Sequence, residues 1–330
     1  MNLEGKKILF FTAQLFNYPA LMKGELEKKG ATVHMYDERN NPTSIEKILL
    51  RKLPFLMSKR TQSFYEKVAD NELSFNPDYI FFVSPEAVTP KALQMLKRRF
   101  PKSRFILYMW DSVKNKHADK IIKYFDKTYS FDTEDCKNYA MKFRPLFFAN
   151  DFKKEIEREN YQYDFSFIGT VHSDRARILM DIKNFCDKND LTYFFYLYVP
   201  GKLLLTLRRI FNPSLRKWDK SYIHTEPIAK EKVAHISSET KCIIDINHPD
   251  QTGLTMRTIE MLGLQRKICT TNKNIVNYDF YYPEDQIVID RDLISMDKKM
   301  INEKYKPTPK EIYDHYSLSA WVNDIFELND

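Results

Sequence analysis

The run from Asp245 to Asn272, DINHPDQTGLTMRTIEMLGLQRKICTTN, constrains this chain more than any other stretch, because it reads as strand, polar loop, helix N-terminus, glycine stop and second strand. Lys241 to Ile246 is a short β-rich run. Thr252 and Thr255 are each able to cap orphan amides, and Thr255 to Leu262 has helical spacing that Gly263 ends. Gly253 lets a backbone come close to a ligand, and Arg257 and Glu260, three apart, share one helical face. A diphosphate suits the positive helix end near Arg257, with the Glu260 carboxylate placed to accept hydrogen bonds from ribose hydroxyls one to two turns on. Taken alone, the segment fits an ordinary surface helix with a solvated Arg/Glu pair at least as well. Its loop has neither a Walker-type Gly-Lys-Ser/Thr end nor a dinucleotide Gly-x-Gly-x-x-Gly.

The rest of the chain repeats the same βα rhythm. In the first half the patterning predicts strands over 8–13, 32–36, 79–83, 105–110, 128–131 and 145–148, and helices over 18–29, 90–100, 117–125 and 133–141. A further helix over 44–69 is broken at Pro54. Continuous apolar runs such as ILFF and YIFFV fit strands buried on both faces of a parallel sheet. A polar stretch from Asn150 to Gln162 reads as a linker. Strands then start again at Phe165 to Ile168, Leu191 to Tyr198, the Cys242 run, the Ile268 run and Ile287 to Asp290. Helices are predicted over 174–188, 229–237, 255–262, 308–316 and 317–328. The expected domains are 1–150 and 163–316, with the helix at 317–330 returning to the first.

The 330 residues, 43% hydrophobic and 14% aromatic, suffice for two cores. The four cysteines, Cys136, Cys186, Cys242 and Cys269, fit neither a metal pattern nor a disulfide framework, so a reduced, cytoplasmic protein is the simplest reading. No signal segment and no long apolar span is visible. The net charge of +7 leaves anionic small molecules, anionic lipid and nucleic acid as partners. Nucleic acid is set aside because no RNA- or DNA-binding motif occurs. Two segments mix cations with apolar residues: Ile48 to Arg60 and Gly201 to Trp218, GKLLLTLRRIFNPSLRKW. Such mixtures suit the headgroup zone of an anionic membrane, with Leu, Phe and Trp inserted and Lys and Arg on phosphates; helices with one buried and one basic face fit them as well.

The chain resembles the GT-B glycosyltransferases, in particular the bacterial CgeB-like and group 1 transferases of surface-polysaccharide clusters. The resemblance rests on GLTMRTIEMLG followed by KICTTN, on DFSFIGT from Asp164 to Thr170 and on YMWDS from Tyr108 to Ser112, and it covers essentially the whole chain. It implies an α/β fold of two Rossmann-like βαβ domains with an interdomain cleft. It also implies a nucleotide-diphospho sugar as donor, a glycan or lipid-linked glycan as acceptor, and no cofactor. Glu260 matches the glutamate that holds the donor ribose, and the loop Thr252-Gly253-Leu254-Thr255 matches the one that holds its phosphates. Many retaining members carry a second glutamate eight residues earlier, where this chain has Thr252, so the anomeric outcome stays open.

Transfer from such a donor needs a held diphosphate, a positioned acceptor hydroxyl and, for inversion, a base. Gly169 and Thr170, between a strand and a helix, present amides to phosphate, and Arg175, Lys202 and Arg257 are its candidate cations. Pro227 and Ile228 match the family loop that flanks the base of the nucleotide. Asp111, after the Tyr108 to Trp110 strand, is the first candidate for the catalytic base, although an Asp in that place also caps helices. His117 and Gln14 are weaker candidates. Asp245, His248 and Asp250 have no repeated ligand spacing, so no metal is expected. Hydrolase, zinc-protease and kinase motifs are missing. Two rivals remain: a nucleotide-sugar epimerase of the same fold, and a non-catalytic nucleotide-sugar-binding partner protein.

Overall fold

The computed structural model describes residues 2–13, 17–40, 57–153, 160–249, 251–294 and 296–328. Gln14, most of the 48–60 segment, the break at Pro54, the middle of the expected linker and Asp250 lie outside them. The chain divides into two compact units, 1–146 with 318–330, and 147–317.

The first unit is built on a six-stranded sheet. Its strands are β1 (Lys7–Thr12), β2 (Thr32–Asp37), β3 (Tyr79–Val83), β4 (Arg104–Met109), β5 (Lys127–Ser130) and β6 (Lys142–Phe143), in the order β2-β1-β3-β4-β5-β6. Every neighbouring pair is parallel. The register sets Phe10 beside Phe81 and Phe11 beside Phe82, and both pairs stack, at 5.0 and 4.6 Å between ring centroids. Because neighbouring side chains point to opposite faces, both faces need cover. Phe11 and Phe82 meet Tyr65 on one face. On the other, Phe81 meets Trp321 and Phe326 of the Leu318–Phe326 helix.

The second unit carries β7 (Tyr163–Thr170), β8 (Tyr193–Tyr198), β9 (Ile223–His224), β10 (Thr240–Asp245), β11 (Lys267–Thr270) and β12 (Gln286–Val288), in the order β12-β11-β10-β7-β8-β9. This sheet is also parallel throughout. Strand order reverses beside β1 in one sheet and beside β7 in the other. Ligands of such sheets gather outside the carboxyl ends of the strands at these reversals.

Three expectations are corrected. The 117–125 helix is instead a short helix, Val113–Lys116, ended by His117 at φ 52°, then two 3-10 turns, Ala118–Lys120 and Ile122–Tyr124. Val113, Ala118 and Ile121 are all buried, and a spacing of five would throw the first two onto different faces of one continuous helix. The 145–148 strand does not form. β5 pairs with Lys142 and Phe143, while the amide of Phe148 donates to Tyr316 O. Pro145 has no N–H for a ladder. Gly263 does not stop its helix, which runs Met256–Leu264 and is capped by Gln265 at φ 51°. A Cβ at Gly263 would collide with the Phe152 carbonyl oxygen and with Phe148, so this glycine serves close packing.

The cysteines are free; three are buried and Cys136 is partly buried. Burial pushes the thiols of Cys186 and Cys269 up to about 12. No helix among the described residues is long and apolar enough to cross a membrane.

Candidate functional site

At the reversal in the second sheet two neighbouring strands part. The β7–β10 ladder ends at Ser166 and Ile243, whereas the β7–β8 ladder continues to Thr170 and Tyr198, and β10 follows β11 to Asp245. Arg175 bridges the gap: its Nε donates to Ile246 O at 2.7 Å and its Nη1 to Thr170 O at 2.8 Å. Gly169 and Thr170 are therefore the last residues of β7, paired with Leu197 and Tyr198, and not a free loop. A Cβ on Gly169 would stand 3.0 Å from the Phe167 ring.

Asp245 fixes the start of the Met256–Leu264 helix to the end of β10. Its carboxylate accepts from the hydroxyls of Thr255 at 2.9 Å and Thr258 at 2.8 Å, and the Thr255 hydroxyl in turn accepts from Thr258 N at 3.2 Å as the N-cap. Amide side chains fix the preceding loop. Asn272 Nδ2 donates to the carbonyls of Thr252 and Gly253, Asn274 Nδ2 to that of Thr252, and Asn247 Nδ2 to that of Gln251. Gly253 and Leu254 are buried. A loop whose carbonyls are turned away and held leaves a preorganised helix end.

Guanidinium groups converge on this end. Burial lowers the pKa of Arg175 to about 10, Asp245 opposes the shift, and Arg257 and Arg291 add to it. Arg291 Nη1 grips the Asp174 carboxylate at 2.8 and 2.9 Å, and its Nη2 donates to Asn247. Arg208 donates to the carbonyl of Val171. Arg257, in the first turn of the helix, lies 5.8 Å over the ring of Phe167 and has no hydrogen bond or ion pair among the described residues. Arginines 175, 208, 257 and 291 thus outnumber the carboxylates beside them, Asp174 and Asp245 with Glu260 one turn farther along the helix. Such a surplus, with a helix N-terminus, suits an anion carrying more than one charge. His172 and His248 stand beside it, their rings 5.7 Å apart. Burial, then Arg175, His248 and Arg208, push the His172 pKa down to about 4, so its imidazole is neutral at pH 7.

The other expected donor residues fall at different distances from this cluster in the fold. Glu260 is buried on the same helix, one turn beyond Arg257. Lys202 is the exposed first residue of the Lys202–Phe211 helix after β8, and its ammonium has no partner among the described residues. Pro227, exposed, and Ile228, half-buried, follow β9, where Tyr196 donates to Glu226 O at 2.7 Å. Both places belong to the carboxyl edge of the sheet; the Lys202 helix reaches the cluster through Arg208, and among the described residues no side-chain hydrogen bond or ion pair joins Lys202, Pro227 or Ile228 to the arginines. Among the described residues no group of His, Cys, Asp and Glu stands ready to hold a metal ion. Sequence reading missed Arg291, His172 and the inward turn of Arg208. The first two are isolated polar residues in loops, with no spacing that links them to the helix.

In the first unit, Asp111 follows β4. The amides of Trp110 and Asp111 donate to Ser84 Oγ at 2.7 and 3.2 Å, which fixes the chain as it leaves the sheet. The Asp111 carboxylate accepts from Ser112 N at 2.9 Å and Asn115 Nδ2 at 3.3 Å, and lies 3.5 Å from the Lys116 ammonium. Ser112, not Asp111, caps the helix, and the Asp111 side chain is 42% exposed. Glu38, at the end of β2, is buried and accepts from the amides of Glu86 and Ala87; burial raises its pKa to about 7. His117 is exposed at its left-handed cap.

No protein-family model matches the chain, and no curated protein matches it by sequence. Solved structures match it over nearly its whole length. Anabaena HepE in complex with UDP and glucose superposes with a TM-score of 0.63 at 10% identity, over 98% of this chain and 99% of that one. The fold is GT-B. OtsA, as the apo structure, gives 0.60 at 9% identity over 97% and 99%. The UDP-GlcNAc 2-epimerase of Methanocaldococcus jannaschii, in complex with UDP-GlcNAc and UDP, gives 0.54 at 11% over 98% and 99%. At such identities the GT-B likeness speaks for architecture, and chemistry has to be argued from this chain's own residues.

Proposed function

We propose that this chain is a glycosyltransferase that moves a sugar from a nucleotide-diphospho sugar to a growing, lipid-linked glycan of the cell surface. The observation that carries the reading is the surplus of guanidinium charge where β7 and β10 part, with Arg257 lying over the ring of Phe167 and, among the described residues, in no ion pair. A nucleotide diphosphate supplies the matching anion. In this reading Arg175, Arg257 and the amides at the Thr255 cap receive the phosphates, Glu260 holds the ribose, and Pro227 and Ile228 flank the base. Gly169, Thr170, Lys202 and the Thr252-Gly253-Leu254 loop complete the donor site.

Breaking the bond from the anomeric carbon to the diphosphate oxygen places negative charge on the leaving group, which fixed cations and a helix end stabilise most as that charge grows. This gives the arginines the work of a divalent ion, so the reading needs no metal. In an inverting transfer the acceptor oxygen bonds to the anomeric carbon from the opposite side and its proton passes to Asp111. The exposed carboxylate of Asp111, oriented by Ser112 and Asn115, supports that role.

The test is Asp111→Asn. The variant is expected to fold and to bind donor as before, with turnover lowered roughly 10²–10⁴-fold, the usual worth of a general base. Turnover near that of the unaltered protein removes Asp111 from the mechanism. The likeness to a UDP-GlcNAc 2-epimerase keeps one second reading in view. An epimerase converts donor with no acceptor present, and product analysis without acceptor separates the two.

A further inference from the structure

The segment 201–218 is divided by the fold into an inner and an outer face. Trp218 and Leu215 are buried, and Trp218 Nε1 donates to Ala176 O at 2.9 Å, so this tryptophan is core and is not available for insertion into a headgroup layer. Leu204 and Leu205 pack on the core of the second unit, and Arg208 is turned inward to the Val171 carbonyl. The Lys202–Phe211 helix is therefore held in place along one side.

Its other side is unusual for a protein surface. Leu203 is 77% exposed, Leu207 45%, Ile210 58% and Phe211 81%. On an ideal helix these four fall within an arc of roughly 100°, a continuous apolar stripe and not scattered residues. Lys202 and Arg209 flank it on the same helix, and Arg209 Nη2 donates to Arg216 O at 3.4 Å, which sets Arg216 and Lys217 beside it; no acidic residue occurs from 201 to 218, and Asp219 follows, next to Lys220. Arg216, Lys217 and Lys220 are exposed. Apolar side chains in one stripe beside cations that outnumber the acids match a surface that is apolar beneath and anionic at its rim.

We propose that the exposed side of the Lys202–Phe211 helix docks on an anionic lipid bilayer, with Leu203, Leu207, Ile210 and Phe211 in the acyl boundary and Arg209, Arg216 and Lys217 on phosphate headgroups. The inference stands on this surface alone and holds whether or not the chain transfers sugar. It also locates the contact: the helix that meets lipid carries Arg208 on its inner side to the end of β7, in the cation cluster.

Co-sedimentation of the full chain with phosphatidylcholine vesicles, with and without phosphatidylglycerol, tests it at low and high salt. Binding is expected to the anionic vesicles at low salt and to weaken as salt rises. Arg216→Gln with Lys217→Gln should lower partition about fivefold per charge removed on anionic vesicles. Leu207→Gln with Phe211→Gln should lower it roughly tenfold or more at every salt concentration. All four side chains are exposed, so circular dichroism should show each variant folded. Failure of the full chain to bind anionic vesicles at low salt overturns the proposal, as does undiminished binding by the Leu207/Phe211 variant. Light scattering that shows a dimer dissolved by that same variant also overturns it, assigning the stripe to a second copy of the chain. Nucleotide binding is measured in parallel, so loss of lipid binding and failure of the transferase reading are separate results.

Discussion

At the residue scale, the arrangement assigns different work to two neighbours on one helix. Glu260→Gln should leave the fold intact and weaken binding of nucleotide-sugar about 10- to 100-fold, since a charge-assisted hydrogen bond is worth roughly 1.5–3 kcal/mol. Unchanged affinity in calorimetry would remove the ribose assignment. His172 makes a prediction about pH. Its folded pKa of about 4 lies below the ordinary 6.5, so the unfolded chain takes up a proton in that window and the folded chain does not. Its contribution to stability is therefore present above pH 6.5 and is lost as pH falls toward 4. His172→Gln should reduce the loss of stability between those pH values, measured by urea denaturation at each pH. An identical slope in both proteins would contradict the assignment. Thr255, Arg257 and Glu260 were legible in the sequence as parts of one helix start because they lie within about a turn and a half of one helix. Arg291 was not, since its approach to Asp174 and Asn247 depends on how a loop after β12 folds back.

At the scale of elements, most strands and helices follow from local pattern, and the departures have local causes. Continuous apolar runs identify β1 and β3 because both faces of a parallel sheet are covered. The amphipathic 202–211 helix shows the limit of such reading. Three consecutive leucines, 203 to 205, leave open which of them faces the core, and the fold buries the last two more deeply. Gly263 shows another limit, since a glycine near a helix end has the same letter whether it stops the helix or lets a neighbouring segment approach. The collision of an added Cβ with Phe152 and Phe148 predicts that Gly263→Ala destabilises the chain by about 1–3 kcal/mol, the usual cost of overpacking. Chemical denaturation measures it. A neutral or stabilising effect, as expected for an exposed glycine in a helix, would contradict the packing role.

At the scale of the whole molecule, each of the two six-stranded parallel sheets has a strand-order reversal, and the one between β7 and β10 is spanned by Arg175. The alternation of strands and helices made the α/β class legible from sequence. The parting of β7 from β10 beyond Ser166 was not, because it depends on where a ladder stops and on an arginine that spans the gap. In the proposed function this gap binds a nucleotide diphosphate. The most direct measurement is a calorimetric titration with UDP, GDP, CMP, dTDP, their sugars and the parent nucleosides, run on the unaltered chain and on Arg257→Ala. At least one diphosphate should bind far more tightly than its nucleoside, and Arg257→Ala should lose about tenfold or more for the diphosphate but little for the nucleoside. Binding of none of these ligands, or equal losses for diphosphate and nucleoside, would contradict that function.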